Sequence, residues 1–391
     1  MTKQRRDEMK IAFDALPLIS ERMTGIGYCQ AGQIQALMAL HPEDHYILQF
    51  FANGDGAEKR QRLAAYEKAH TELRQGRCSG YLYRLVSNFL PVPYRHFFGS
   101  DAEVTHFFNY IVPPKVDGKK IVTVHDMVYK SFPETVRGRT RYMLETGLRR
   151  SLKRADLVVT DSEFSRTEII KYFPSAAEKL RVVPCGVDRN RFHPVENQEW
   201  IEETKKELGI SGEYFLYLGT LEPRKNLRRL MLAYNAFRKG KAEYPKMVLA
   251  GGKGWMNDEL FRAIEELELA QDVIELSYVP EGHLCTLMSG ALAFVFPSIY
   301  EGFGMPPLEA MACGVPVLTT HAASLPEVVG DSALICDPYQ PEQMTDSLEQ
   351  LYRDAMLRRD LSEAGLRRAR MFSWENAAAI LYDVYQEAVS G

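Results

Sequence analysis

The stretch from residue 293 to residue 320 constrains the fold more than any other part of the chain. Ala293 to Phe296 is an apolar run of the length of a buried strand. Gly302 and Gly304 follow in a loop, where the backbone can take conformations barred to other residues. Pro306 and Pro307 suit the start of a helix, because an early helical N–H has no partner to lose. The spacing predicts a helix from Pro306 to Cys313, stopped by Gly314, and a second buried strand from Val315 to Thr319. Strand, glycine loop, helix and strand in this order aim free N–H groups and the positive end of a helix dipole at the mouth of the loop. Glu301 flanks the mouth from the loop, and Glu309 flanks it from the first turns of the helix. An anion site edged by acids suits a phosphate attached to something rich in hydroxyls, as in a nucleotide sugar. Spacing alone leaves a plainer alternative open: many parallel α/β proteins carry such loops without a ligand, and the dipole by itself favours Glu in a first helical turn.

A second junction has the same form. The strand Tyr214 to Leu218 ends at Gly219, and Thr220-Leu221-Glu222-Pro223-Arg224-Lys225-Asn226 leads into a helix reaching Phe237. Arg224 and Lys225 sit where cations oppose the helix dipole. That is tolerated if the segment is well solvated, or if an anion lies between the cations and the N–H groups. A guanidinium fork beside an ammonium would suit a diphosphate. Strand-to-helix junctions of one parallel sheet all open on the same edge, so the two loops reinforce each other. Val248 to Trp255, with Gly251, Gly252 and Gly254, repeats the pattern, and Tyr278-Val279-Pro280 does so without glycine; these two would frame a base. No G-x-x-x-x-G-K-[ST] run occurs, which disfavours P-loop hydrolysis.

Short strands alternate with helical patterns on both sides of a polar stretch at 189–212. Before it lie candidate strands at 10–18, 46–51, 106–108, 121–124, 157–160 and 181–184; after it, at 214–218, 247–250, 273–276, 293–296, 315–318 and 333–336. Residues 57–98 resist placement. A chain of 391 residues exceeds what one core usually serves. The expectation is an α/β protein of two doubly wound domains facing across a cleft, residues 1–192 and 193–371. A net charge of −4 argues against nucleic acid as the main partner. The six cysteines form no C-x-x-C pair and read as small core residues in a reducing compartment. No apolar run approaches the ~18 residues that span a bilayer, and Asp14 interrupts the stretch after the basic N-terminus, so a cytoplasmic protein is expected.

Four further places carry chemistry or its alternative. Gly25-Ile26-Gly27 imitates half of a dinucleotide fingerprint, but Gln30 stands where a third glycine belongs. Close approach to a substrate and a plain tight turn fit it equally. His125-Asp126 ends a strand, where open sheets bind ligands, and Asp126 is positioned to orient the imidazole. Residues 137–154 form a basic amphipathic helix, either a solvated face or a contact for anionic lipid or an acceptor diphosphate. Asp161-Ser162-Glu163 has metal-ligand spacing, but Ser162 with Ser165 reads better as a helix cap.

Glu301-Gly302-Phe303-Gly304 followed by Glu309 resembles the paired-glutamate motif of the family 4 retaining glycosyltransferases. Gly219 to Leu227 is similar to that family's diphosphate loop. Gly25-Ile26-Gly27, Thr160 to Ser165, Pro184 to Asp188 and Phe372-Ser373-Trp374-Glu375 also match. The resemblance implies the GT-B architecture, with a C-terminal helix, 372–391, crossing back to the first domain. It implies that Arg224 and Lys225 neutralise the leaving diphosphate, that Glu309 hydrogen-bonds the ribose, and that Glu301 with the amides near Phe303 and Gly304 touches the sugar. His125 would face the sugar from the first domain, and Gly25 and Gly27 would approach the phosphate or the acceptor. Gly219, Gly252, Tyr278, Val279 and Met305 complete the implied donor site. The family needs no metal or other cofactor. The motif texture looks most like mannosyltransferases of bacterial polysaccharide assembly, which implies GDP-mannose as donor and a lipid-linked or oligosaccharide acceptor at the membrane's inner face. A UDP-sugar donor, a sugar-nucleotide epimerase of the same architecture and a non-catalytic nucleotide-sugar binder are the alternatives. Cys185 departs from the family, which often has Asn there.

Overall fold

A computed structural model describes residues 8–391 apart from Arg22 and Asn88. The chain divides into two compact units, one running to Gly186 and closed by Trp374–Gly391, the other spanning Val187–Ser373.

The first unit is built on β1 (Lys10–Asp14), β2 (His45–Phe51), β3 (Thr71–Gly76), β4 (Val104–Phe107), β5 (Lys119–Thr123), β6 (Leu157–Thr160) and β7 (Leu180–Val182), in the order β3-β2-β1-β4-β5-β6-β7. All neighbours are parallel. The second unit carries β8 (Tyr214–Leu218), β9 (Lys246–Ala250), β10 (Val273–Leu276), β11 (Ala293–Phe296), β12 (Val317–Thr320) and β13 (Leu334–Cys336), in the order β10-β9-β8-β11-β12-β13. These too pair in parallel. Parallel strands need long crossovers, and the intervening helices supply them. Both sheets are doubly wound in the Rossmann manner: the direction of strand addition reverses between β1 and β4 in one and between β8 and β11 in the other. At such a switch point two neighbouring loops diverge and leave a crevice outside the carboxyl ends of the strands.

Strand interiors are apolar because both faces are covered. Phe294, Val295 and Phe296 are fully buried, as are Phe215, Leu216 and Tyr217 beside them. The helix Leu227–Arg238 buries Leu227, Leu230, Met231, Tyr234 and Phe237, one stripe at helical spacing.

The C-terminal helix Trp374–Ser390 belongs to the first unit, where it lies on the helix Gly25–Leu40. Trp374 sits so close over Gly32 that a β-carbon there would lie 2.3 Å from the indole. The Tyr385 hydroxyl pairs with His106 Nδ1 at 2.7 Å, which ties the helix to β4.

Several boundaries differ from the sequence reading. The strand predicted over 10–18 ends at Asp14, since Pro17 has no N–H with which to continue a ladder. The helix predicted from Pro306 runs Met305–Ala312, because Gly304 already serves as its N-cap. Val315, predicted to open a strand, is consumed by the preceding helix end: its N–H bonds the Ala310 carbonyl at 3.1 Å around Gly314, whose φ is 73°. β12 therefore begins at Val317. The unplaced region 57–98 contains β3, an edge strand whose charged residues hid it, and the helices Gly56–Arg62, Gly80–Ser87 and Arg95–Phe98. Cys29, Cys185, Cys313 and Cys336 are buried, and Cys78 and Cys285 are half-buried; all six are free thiols. Among the described residues, no helix is long and apolar enough to cross a membrane.

Candidate active site

The switch point between β8 and β11 holds a dense polar cluster. Pro223–Lys225 forms a single tight turn rather than the first turn of the following helix, a correction to the sequence reading. Asn226 ends that turn in the left-handed region, φ 61°, and the longer helix begins only at Leu227. The Asn226 amide donates to the Pro297 carbonyl at 3.0 Å and the Pro338 carbonyl at 2.7 Å. The Ile299 N–H donates to the Arg224 carbonyl at 3.0 Å. These bonds fasten the loop after β8 to the loop after β11.

The fastening brings the charges together. Glu301 accepts from Lys225 Nζ through Oε1 at 2.6 Å and from Arg224 Nη1 through Oε2 at 2.7 Å. Arg224 also donates to the Tyr300 carbonyl at 2.6 Å and, through Nη2, to Glu222 at 2.7 Å. Burial opposes the Glu301 charge, but Arg224 and Lys225 outweigh it and hold the carboxyl down at about 2. Burial pulls the Lys225 ammonium below its usual range, and Glu301 offsets part of that shift. Lys225 also lies 4.8 Å from the centre of the Phe296 ring. Two cations and two carboxylates make the cluster neutral as it stands. An incoming anion would compete with these carboxylates for the two cations.

The loop above this cluster is held by Ser324, whose hydroxyl reaches the Glu301 and Phe303 carbonyls, each at 2.8 Å. Phe303 is buried edge-on against Phe372, ring centres 5.8 Å apart. Gly304 has φ 114°, closed to most side chains, and a β-carbon there would meet Leu325 at 2.9 Å. Met305 and Glu309 lie half-buried in the helix that follows. Burial pushes the Glu309 carboxyl up to about 7, with Arg191 pulling the other way. Near neutrality it can therefore offer either a proton or a lone pair.

The loop after β9 adjoins the loop after β8. Gly219 and Gly251 touch backbone to backbone: a β-carbon on Gly251, φ 145°, would fall 2.0 Å from the Gly219 carbonyl oxygen. The Gly252 carbonyl accepts from Leu221 N–H at 3.0 Å, and open space lies where its side chain would be. Tyr278 is exposed and Val279 buried. Thus Gly219, Arg224, Lys225, Glu301, Phe303 and Gly304 are tied by direct bonds or shared loops. Gly252 joins through the β8–β9 contact, whereas Tyr278 and Val279 stand beyond the next strand.

His125, Gly25 and Gly27 lie in the first unit. Gly25 and Gly27 occupy the first turn of the helix after β1, with Thr24 as N-cap. Gln30, at the place of a missing third glycine, is buried and donates to the Asp14 carbonyl at 2.8 Å, pinning that helix to β1. His125 is buried at the end of β5. Its orienting carboxylate is Asp161 and not Asp126: Nδ1 meets Asp161 Oδ2 at 2.6 Å, and Nε2 meets the Phe108 carbonyl at 2.8 Å. Asp126 is occupied by the Tyr110 hydroxyl and the Val128 N–H, both at 3.2 Å. Burial works against an imidazolium, yet Asp161 and the Phe108 carbonyl raise the ring to about 10. Both ring nitrogens are spent on the protein, so what His125 offers a ligand is charge rather than a lone pair. Asp161 was visible in the sequence only as part of a metal-like spacing. Its neighbour Ser162 caps the helix Glu163–Tyr172 by accepting from Ser165 N–H at 3.0 Å, as the sequence reading expected. Cys29, His125 and Asp161 bring one ligand atom each within 4.8 Å of one another, and the His125–Asp161 bond lies within this group.

Residues 200–368 match the family model described as "Glycosyl transferases group 1", and residues 44–191 match "Glycosyltransferase Family 4". O-antigen chain mannosyltransferase B of Escherichia coli is 37% identical over 287 residues, covering 72% of this chain and 74% of that protein. The serotype-specific mannosyltransferase WbdA of the same species is 27% identical over 285 residues, 70% of this chain and 34% of that protein. Sucrose-phosphate synthase from Thermosynechococcus elongatus shares the fold at 18% identity, with a TM-score of 0.75 over 97% of this chain and 99% of its own. With its two Rossmann-like units, the two matched stretches and the relative at 37% identity, the chain belongs to family 4 of the glycosyltransferases, of GT-B architecture.

Proposed function

We propose that this glycosyltransferase moves mannose from GDP-mannose to a lipid-linked or polysaccharide acceptor in surface-glycan assembly, with retention of configuration and without a metal. The sharing of one carboxylate, Glu301, by Arg224 and Lys225 at the β8–β11 switch point carries the reading. The relative at 37% identity, a mannosyltransferase by name, supports the choice of sugar.

As the diphosphate arrives, its oxygens take N–H donors from Arg224 and Lys225. The Glu301 carboxylate, released in part, turns to accept from sugar hydroxyls. The exchange keeps each charge partnered in a site too buried to leave any of them bare. When the glycosidic bond breaks, negative charge grows on the leaving phosphate, and the two cations already lie beside it. Glu309 accepts from the ribose. Attack on the same face as departure, with the leaving phosphate taking the acceptor's proton, gives retention. Glu301 is a poor candidate for a covalent nucleophile, since two cations hold both its oxygens.

The test is transfer by a variant with Arg224→Ala and Lys225→Ala, with the anomeric configuration of the wild-type product read by NMR. Turnover should fall by about three orders of magnitude. Transfer near the wild-type rate would end the proposal.

A further inference from the structure

The helix Gly80–Ser87 buries Tyr83, Arg84 and Ser87, and Arg84 forms an ion pair with Asp14, the last residue of β1. On its other side Tyr81, Leu82 and Leu85 face outward, and Phe89 and Leu90 follow them at the surface. Leu82 is 55% exposed, Phe89 58% and Leu90 59%. A lone exposed leucine means nothing, but a buried arginine beneath a run of outward apolar side chains does. The ion pair holds the helix in this orientation, beside the carboxyl end of β1.

Cations stand next to the apolar face. Arg139 lies over the Tyr81 ring, 3.6 Å from its centre, and so joins this helix to the basic helix Gly138–Arg154. Arg137, Arg139, Arg141, Arg149, Arg150 and Lys153 are all exposed along that segment, in a chain whose net charge is −4. A second copy of this chain is a poor occupant: a two-fold contact through this face would set the arginines near one another. A bilayer with anionic headgroups satisfies both halves, taking the apolar side chains into its acyl boundary and the arginines at its phosphates.

We propose that Tyr81, Leu82, Leu85, Phe89 and Leu90 form an insertion face that seats the first unit on an anionic membrane, with the 137–154 helix as its electrostatic rim. The inference rests on the lipid-linked acceptor reading for its purpose, because it would bring such an acceptor to the carboxyl edge of the first sheet. Its geometry does not depend on the donor.

The experiment uses the full chain and vesicles of phosphatidylglycerol with phosphatidylethanolamine, against vesicles of phosphatidylcholine alone. Wild-type protein should float with the anionic vesicles, and a measurable part of that binding should survive about 0.5 M salt, where screening reaches within a few Å. A triple variant, Leu82→Ser with Phe89→Ser and Leu90→Ser, should bind on the order of a hundredfold more weakly. Replacing Arg137, Arg139 and Arg141 by Gln should mainly remove the salt-sensitive part. Phe89→Trp should shift its emission to the blue on anionic vesicles and be quenched by lipids brominated in the acyl chain. Unchanged flotation of the triple variant would overturn the proposal. So would Trp emission indifferent to vesicles, or a wild-type dimer in sedimentation that the triple variant dissociates. Hydrolysis of GDP-mannose without vesicles, which reads the sugar site alone, should match wild type in the triple variant. A failed donor assignment and a failed membrane face are thereby told apart.

Discussion

The two sheets end in the same kind of edge and furnish it in opposite ways. At the β8–β11 switch point the charges are exchangeable: Glu301 divides its two oxygens between Arg224 and Lys225, and a phosphate oxygen can replace either contact with one of the same type. At the end of β5 the charge is fixed. His125 donates to Asp161 and to a backbone carbonyl, both fixed parts of the fold. On the proposed reading one unit trades hydrogen bonds with a ligand, while the other holds a cation in a fixed orientation. The arrangement explains why two buried histidines of the first unit differ: His106 lies between the hydroxyls of Tyr385 and Thr123 and is held neutral by burial, while His125, beside a carboxylate, is held charged.

The sharpest way to break this contrast is at Glu301. Glu301→Ala should strip both cations of their shared partner, lower transfer by about three orders of magnitude and lower the unfolding free energy by about 3 kcal/mol. Steady-state kinetics and urea melts read the two effects. If stability falls while turnover does not, the carboxylate is only a structural pair. A smaller effect is expected from Asp161→Asn, which leaves His125 with a neutral partner. We expect a loss of about 2 kcal/mol in the same melts, with nucleotide affinity by calorimetry kept at the wild-type value. A large loss of nucleotide affinity would show that the fixed cation acts on the donor loop, contrary to the contrast drawn.

The smallest effect is a difference in pH response. The Glu301 carboxyl sits at about 2 against an ordinary 4.5, so its stabilisation is complete above 4.5 and is lost as pH falls through 2. His125 sits at about 10 against 6.5, so its stabilisation is complete below 6.5 and is lost as pH rises through 10. Melts across pH should show Glu301→Gln flattening the acid limb and Asp161→Asn the alkaline limb. Any exchange of the two limbs would mean the charges are assigned to the wrong unit.

Most of the fold is legible because it is written in local pattern. Ala293 to Phe296 and Tyr214 to Leu218 could only be buried strands, and the glycines and prolines mark where each helix starts or stops. The junction loops with Arg224, Lys225 and Glu301 are legible as neighbours on one sheet edge for the same reason. What escaped depends on contacts far apart in sequence. Asp161 lies 36 residues from His125, and Asp126, one residue away, seemed the natural partner only because strand ends were read singly. Ser324 reaches back across 23 residues to the Glu301 carbonyl, and nothing in its neighbourhood announces that. β3, with the charged Glu72 and Arg74 at a sheet edge, lacks the apolar signal by which interior strands are found. The helix at 80–87 escapes because amphipathic patterns are read with polar residues outward, and here Arg84 lies buried beside Tyr83 while Leu82 and Leu85 are exposed.

The central claim is that Arg224 and Lys225 pass from Glu301 to a sugar diphosphate. Calorimetric titration of GDP-mannose into wild-type protein and into the variant with Arg224→Ala and Lys225→Ala tests it most directly. Binding to the wild type is expected, with an affinity lower by at least about a hundredfold in the variant, two charge-assisted contacts being lost. Equal affinity in a folded variant would contradict it.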